Sequence, residues 1–138
     1  MKKRFLLFVF MVSALAITGC GKNNTKTLYC TSREETDGVV TSSVMDISFK
    51  NSEAEKITLD ISIDYTDKYK NYVDTFKETL ETQKTELEKI GYNVDITLNS
   101  SSLSLKAVGT NKTLDKSEYQ GTYAATKKSL EDSGYTCK

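Results

Sequence analysis

The first pattern along the chain is one apolar run, Phe5 to Ile17, with Met1-Lys2-Lys3-Arg4 before it and Thr18-Gly19-Cys20 after it. A membrane-spanning helix needs ~20 apolar residues, so this run is too short to span and has the build of an export signal. Beyond it the spacing of apolar residues becomes two. Thr27 to Ser32 is rich in β-formers and predicts an edge strand, and Val39 to Phe49 alternates through Met45, Ile47 and Phe49. Lys56 to Tyr65 alternates without a break: Ile57, Leu59, Ile61, Ile63 and Tyr65 share one face, Thr58, Asp60, Ser62 and Asp64 the other. That predicts a strand with one buried and one wet face. Polar turns are expected over 33–38 and 50–55.

After Asp67 the period turns helical, through Tyr69, Tyr72, Val73, Phe76, Leu80, Leu87 and Ile90, with Thr66 or Asp67 placed to cap the start. Gly91 followed by Tyr92 suits a left-handed C-terminal cap, and Gly134-Tyr135 repeats it. Tyr92 to Leu98 alternates again, with Tyr92, Val94, Ile96 and Leu98 expected inside. A turn over 99–101 and a strand from Ser102 to Val108 follow. Ser117-Glu118-Tyr119-Gln120 reads as a capping box that opens a helix through Tyr119, Tyr123, Ala124 and Leu130. Tyr135-Thr136-Cys137 leaves it as a short extended tail.

The order is β-β-β-α-β-β-α. Hairpins pair antiparallel, and a one-sided sheet must cover its apolar face. The expected fold is α+β, an antiparallel sheet of about five strands with two amphipathic helices on one face. The chain divides into a signal (1–19), a tether (20–26) and a single domain (27–138).

Ile17-Thr18-Gly19-Cys20 resembles the bacterial lipobox: an aliphatic residue, two small residues, then a cysteine. The resemblance implies that Cys20 takes a diacylglycerol, becomes the N-terminus and carries further acyl chain, palmitate-like in kind. One chain binds a membrane marginally, whereas two or more anchor stably. The expected address is the extracytoplasmic face of the cell membrane, with the membrane as partner through this lipid. Gly21 to Lys26 reaches at most roughly 20 Å, which keeps the domain close to the bilayer.

Composition narrows the chemistry. The chain has 19 basic and 19 acidic residues, and losing Lys2, Lys3 and Arg4 with the signal leaves 16 against 19, a formal charge of −3. That offers no basic footprint for nucleic acid and no polybasic membrane patch. There is no His, which removes the most common general base and metal ligand near neutral pH. With Cys20 committed to lipid, Cys30 and Cys137 are left, and an exported domain favours their pairing as a disulfide. No metal, cofactor or catalytic set is signalled by any nucleophile motif, phosphate loop or ligand spacing.

Two surface features are candidates. Asp46, Asp60, Asp64 and Asp95 fall on the polar face of the sheet. A hairpin symmetric about Glu53 would set Asp46 opposite Asp60, a repulsion that a cation could relieve. Acidic residues also keep strands soluble, which suffices to explain them. Tyr65, Tyr69, Tyr72, Tyr119 and Tyr123 could line a cleft at helix ends, or simply pack at the rim of the core.

The lipobox, a β-rich first half and the final Glu131-Asp132-Ser133-Gly134-Tyr135 together resemble the small YehR-like bacterial lipoproteins of unknown function. That resemblance implies no activity. The leading expectation is a non-catalytic binding or interaction module. A small-ligand carrier with a Tyr-lined cleft stands second, and an enzyme using surface carboxylates third.

Overall fold

The computed structural model describes residues 25–138; the expected signal, Cys20 and the first part of the expected tether lie outside the described residues. Six strands form one antiparallel sheet in the order β4-β5-β3-β2-β1-β6. They are β1 (Thr25–Thr36), β2 (Val39–Lys50), β3 (Glu53–Tyr65), β4 (Asn93–Leu98), β5 (Ser102–Thr110) and β6 (Thr136–Cys137). Helices α1 (Val73–Lys89), α2 (Lys116–Tyr119) and α3 (Tyr123–Asp132) complete the order. The α+β class is as expected, and the sixth strand is the tail. Thr25 and Lys26, expected in the tether, already pair with Lys50 and Phe49 in β1, which has β6 beyond it at the edge.

The expected alternation is what the sheet buries. Ile57, Leu59, Ile63 and Tyr65 of β3 join Met45, Ile47 and Phe49 of β2 and Leu103, Leu105 and Ala107 of β5 in one core. Phe76 and Leu80 of α1 cover it on the β4–β5 side, and Leu130 of α3 covers it on the β1–β6 side. At ~25 cal/mol per Å2 of apolar surface removed from water, this burial is the main force holding the layers together.

The hairpins turn more tightly than expected. Asp37-Gly38 and Asn51-Ser52 are two-residue loops with φ of 53°, 85°, 52° and 76° in turn. These left-handed angles mark type I′ turns, whose twist matches the strands they join. The second turn is centred on Asn51-Ser52, not Glu53, and the register slips between Ser48 and Phe49.

Both helix C-termini close as expected. Tyr92 N donates to Leu87 O at 3.0 Å and Gly91 N to Glu88 O at 3.1 Å; Tyr135 N donates to Leu130 O and Gly134 N to Glu131 O, each at 3.0 Å. This is the Schellman pattern at both ends, with Gly91 and Gly134 at φ of 101° and 94°.

The helix starts differ from the expectation. Neither Thr66 nor Asp67 caps a long helix: a 3-10 helix, Asp67–Tyr72, precedes α1, and Thr66 makes no side-chain capping bond. The capping box also fails. The four-residue α2 has Asp115 before it without a capping bond, the chain breaks at Gln120-Gly121, and Thr122 caps α3 by accepting from Ala125 N at 3.1 Å. Gly121 explains the break, because glycine weakens a helix interior and leaves room for a second start.

Cys30 and Cys137 form the expected disulfide, with Cα atoms 4.1 Å apart and 107 residues between them along the chain. Their neighbours Tyr29 and Lys138 exchange two backbone hydrogen bonds, at 3.2 and 2.8 Å. Cys30 and Cys137 therefore occupy the adjacent non-hydrogen-bonded pair, where strands approach closest. Closing a loop of this size is worth ~4–5 kcal/mol in the chain-entropy picture.

Candidate functional site

The sheet has two ends of different construction. One, here the tether end, holds the start of β1, the Asn51-Ser52 turn, the C-terminus of α1 and the 111–119 segment. It is tied by backbone bonds from Asn111 N to Glu55 O at 3.0 Å and from Asp115 N to Ile90 O at 3.1 Å. Phe49 meets Tyr123 edge-on at 5.6 Å, and Lys26 Nζ lies 5.3 Å from the Tyr123 ring centre. Burial pushes the Tyr92 hydroxyl far above the usual phenol range, helped by the Glu118 charge. Burial also raises the Glu118 carboxyl, with Asp115 adding to it. Tyr92, just after α1, and Glu118 of α2 thus lie close enough for their charges to act on each other, beside the Asp115–Ile90 bond.

The far end holds the Asp37-Gly38 turn, the end of β3, the 3-10 helix and the 99–101 turn. Tyr65 N donates to Ser101 O at 3.0 Å, which ties the end of β3 to the 99–101 turn. Tyr65 is buried against Phe76, with ring centres 5.9 Å apart. From there outward the aromatics rise to the surface. Tyr69 is half-buried and stands 5.8 Å from Tyr72, which is 54% exposed. Lys68 Nζ lies 5.2 Å from the Tyr69 ring centre. The Lys70 ammonium donates to Asp67 at 2.8 Å and holds that exposed carboxyl below its usual range.

Leu98, expected inside, is 55% exposed. It ends the edge strand β4, where Val94 is buried and Ile96 half-buried, so cover from α1 runs out toward its position. Of the three large hydrophobic side chains exposed among the described residues, Tyr72 and Leu98 share the far end; Tyr29 lies mid-sheet on the polar face. Amphipathic aromatic and aliphatic side chains standing in water at one end are suited to contact with another surface.

The expected tyrosine cleft does not form from those five residues. Tyr65, Tyr69 and Tyr72 sit at the far end, while Tyr119 and Tyr123 pack at the tether end, on the opposite side of the long β2–β3 hairpin. A shallow open furrow does run along α1, between Asp74, Lys77, Glu78, Glu81, Thr82 and Thr85, all on its wet face.

The acidic pair is likewise corrected. The two-residue turn and the register slip set Thr58, not Asp60, opposite Asp46. Asp60 stands opposite Lys106, which also faces Asp95 across β4–β5. Opposite charges alternate across these strands, a favourable arrangement that leaves no repulsion for a cation to relieve. Asp64 pairs with Val40 and Ser102 and is exposed. Cys20, the lipidation candidate, lies outside the described residues.

No family model matches the chain, and no curated protein matches it. Two solved structures do. The NMR structure of the YehR protein of Escherichia coli superposes with a TM-score of 0.61 at 12% identity, over 83% of this chain and 91% of that one. The NMR structure of a protein from Streptococcus pneumoniae TIGR4 gives a TM-score of 0.46 at 18% identity, over 100% of this chain and 97% of that one. The chain shares its fold with YehR, in keeping with the resemblance drawn from its residues.

Proposed function

We propose that this chain is an exported protein, lipid-anchored through Cys20 on the extracytoplasmic face of the cell membrane, and that it is a non-catalytic binding or interaction module. Its contact surface is the far end of the sheet. The observation that carries the second part is the exposure of Tyr72 and Leu98 at one end, beside the half-buried Tyr69. Soluble domains tolerate single exposed apolar residues, but their concentration at one end is a mark of contact sites. The anchor rests on the basic start, the apolar run and Ile17-Thr18-Gly19-Cys20. The fold shared with YehR is compatible with this role and says nothing of an activity.

The test is photo-crosslinking in living cells, with a photoreactive side chain placed singly at Tyr72, at Leu98 and, as a control, at the exposed Asp46 on the polar face. The expected result is one common adduct from positions 72 and 98 that is missing from position 46. Identical adducts from all three positions, or none from 72 and 98, would contradict the proposed surface.

A further inference from the structure

The length of chain between Cys20 and β1, taken with the distribution of charge over the two ends, points to a defined posture at the membrane. Cys20 precedes Thr25 by five residues, which span at most ~17 Å. The tether end of the sheet is therefore held within that distance of whatever carries the lipid. The opposite end of β3, a 13-residue strand, is roughly 40 Å further along the strand direction. A short leash alone still lets a domain lie on its side, so charge decides between postures.

At the tether end, Lys26, Lys50, Lys56, Lys112 and Lys116 stand against Glu53, Glu55, Asp115 and Glu118, five basic residues to four acidic. Glu55 and Lys50 stand 3.7 Å apart with both side chains in water, a loose pair that leaves Lys50 able to turn to a headgroup. Glu86 and Glu88, in the last turns of α1, are answered within the helix by Lys89 at 2.7 Å and Lys84 at 3.9 Å. Lys22 adds one more positive charge between Cys20 and β1. The far end reverses the balance: Glu34, Glu35, Asp37, Asp64, Asp67 and Asp74 stand against Arg33, Lys68 and Lys70, six acidic residues to three basic.

The two broad sides are no better suited to an anionic surface. The polar face of the sheet sets Asp46, Asp60, Asp64 and Asp95 against Lys106, and the wet face of α1 sets Asp74, Glu78 and Glu81 against Lys77, so each stays acidic on balance. An anionic bilayer attracts lysines within a Debye length and repels each of these alternatives.

We infer that the domain stands end-on, with Lys50 and Lys112 on the Asn51-Ser52 turn and the 111–113 loop against anionic lipid headgroups, and Tyr72 and Leu98 held at the outermost point. This deepens the proposed function and rests on lipidation of Cys20. It assigns a second interaction surface to the molecule, one for the membrane and one for the partner, at opposite ends of the same strands.

The test uses the processed, lipidated protein in nanodiscs of phosphatidylcholine and phosphatidylglycerol that carry a headgroup nitroxide, with amide NMR signals as the readout. A mass measurement on the same sample reports first whether Cys20 carries lipid. A lipid-free Cys20 overturns the anchoring reading and the posture with it. With lipid present, the expected result is loss of signal at Asn51, Ser52, Asn111 and Lys112, with signal kept at Asp37, Gly38, Asn99 and Ser100. Equal loss at both groups, or loss at the second, overturns the posture alone. Discs of pure phosphatidylcholine, and the variant Lys50→Glu/Lys112→Glu in the mixed discs, should each spread the loss toward both ends. An unchanged pattern in either case overturns the headgroup contact.

Discussion

At the tether end a space with no room for a methyl group separates the cap of α1 from the loop after β5. A Cβ built on Gly91 would run into the carbonyl oxygen of Thr113. Gly134 closes α3 with the same two backbone bonds and nearly the same φ, yet a Cβ there meets nothing within 4 Å. The two caps share their chemistry and differ in their surroundings. The contrast extends to the ends of the sheet: the tether end is bonded loop to helix and strand, whereas the far end leaves Tyr72 and Leu98 in water. Stability is invested at the end where β1 begins, and accessible side chains collect at the other.

Gly91→Ala should separate the ends most sharply. A left-handed alanine costs about 1–2 kcal/mol and displacing packed backbone about 1–3 more, so a loss of ~3 kcal/mol is expected in urea unfolding. Gly134→Ala carries only the conformational part, ~1–2 kcal/mol. Equal losses would mean that the tether end is no more tightly built than the rest.

Ser52→Gly tests the Asn51-Ser52 turn from the other side. Ser52 holds a φ of 76° where Gly38 occupies the matching place in the first hairpin at 85°. Removing that strain should stabilise the domain by ~1 kcal/mol, less the added freedom of glycine when unfolded. A lower urea midpoint would show that the serine conformation is locally supported.

Glu118→Gln gives a smaller effect with a defined pH dependence. Burial raises the folded-state carboxyl above its ordinary value of 4.5. Below that value both states are protonated and nothing is lost. As pH rises through it, the unfolded state ionises first and the native protein loses stability. The glutamine variant should gain on wild type from about pH 4.5 upward and match it in acid; a difference that persists unchanged at pH 3 would rule out ionisation as the cause.

Tyr72→Ser combined with Leu98→Ser should move stability least, by about 0.5 kcal/mol or less in either direction, because both side chains already stand in water. The same variant should abolish a partner adduct captured from elsewhere on the far end. A large loss of stability would mean that these residues hold the fold rather than present it.

The core and its cover were legible because periodicity records which side of a strand or helix is wet. Ile57 to Tyr65 showed it in a single strand, and Gly91-Tyr92 after Leu87 showed a helix stop. The disulfide followed from the expectation of export, which with Cys20 set aside for lipid left one cysteine pair. Leu98 was misplaced because alternation tells which face a residue joins, not whether a helix reaches that far along the face. The Asp46–Asp60 pairing failed by two positions, since serine in a left-handed turn gives little signal and one bulged residue shifts every pair beyond it. The split of the tyrosines between ends depended on the length of the β2–β3 hairpin, which spacing within each segment does not report.

The reading of two ends depends on the membrane being tied to one of them. The most direct measurement is the intact mass, without reduction, of the protein extracted from the membrane fraction of expressing cells. The account predicts a chain that starts at Cys20, carries a diacylglycerol and further acylation there, and is two hydrogens lighter than the reduced form through Cys30–Cys137. A chain that retains Met1 to Gly19, or that starts at Cys20 without lipid, would contradict it.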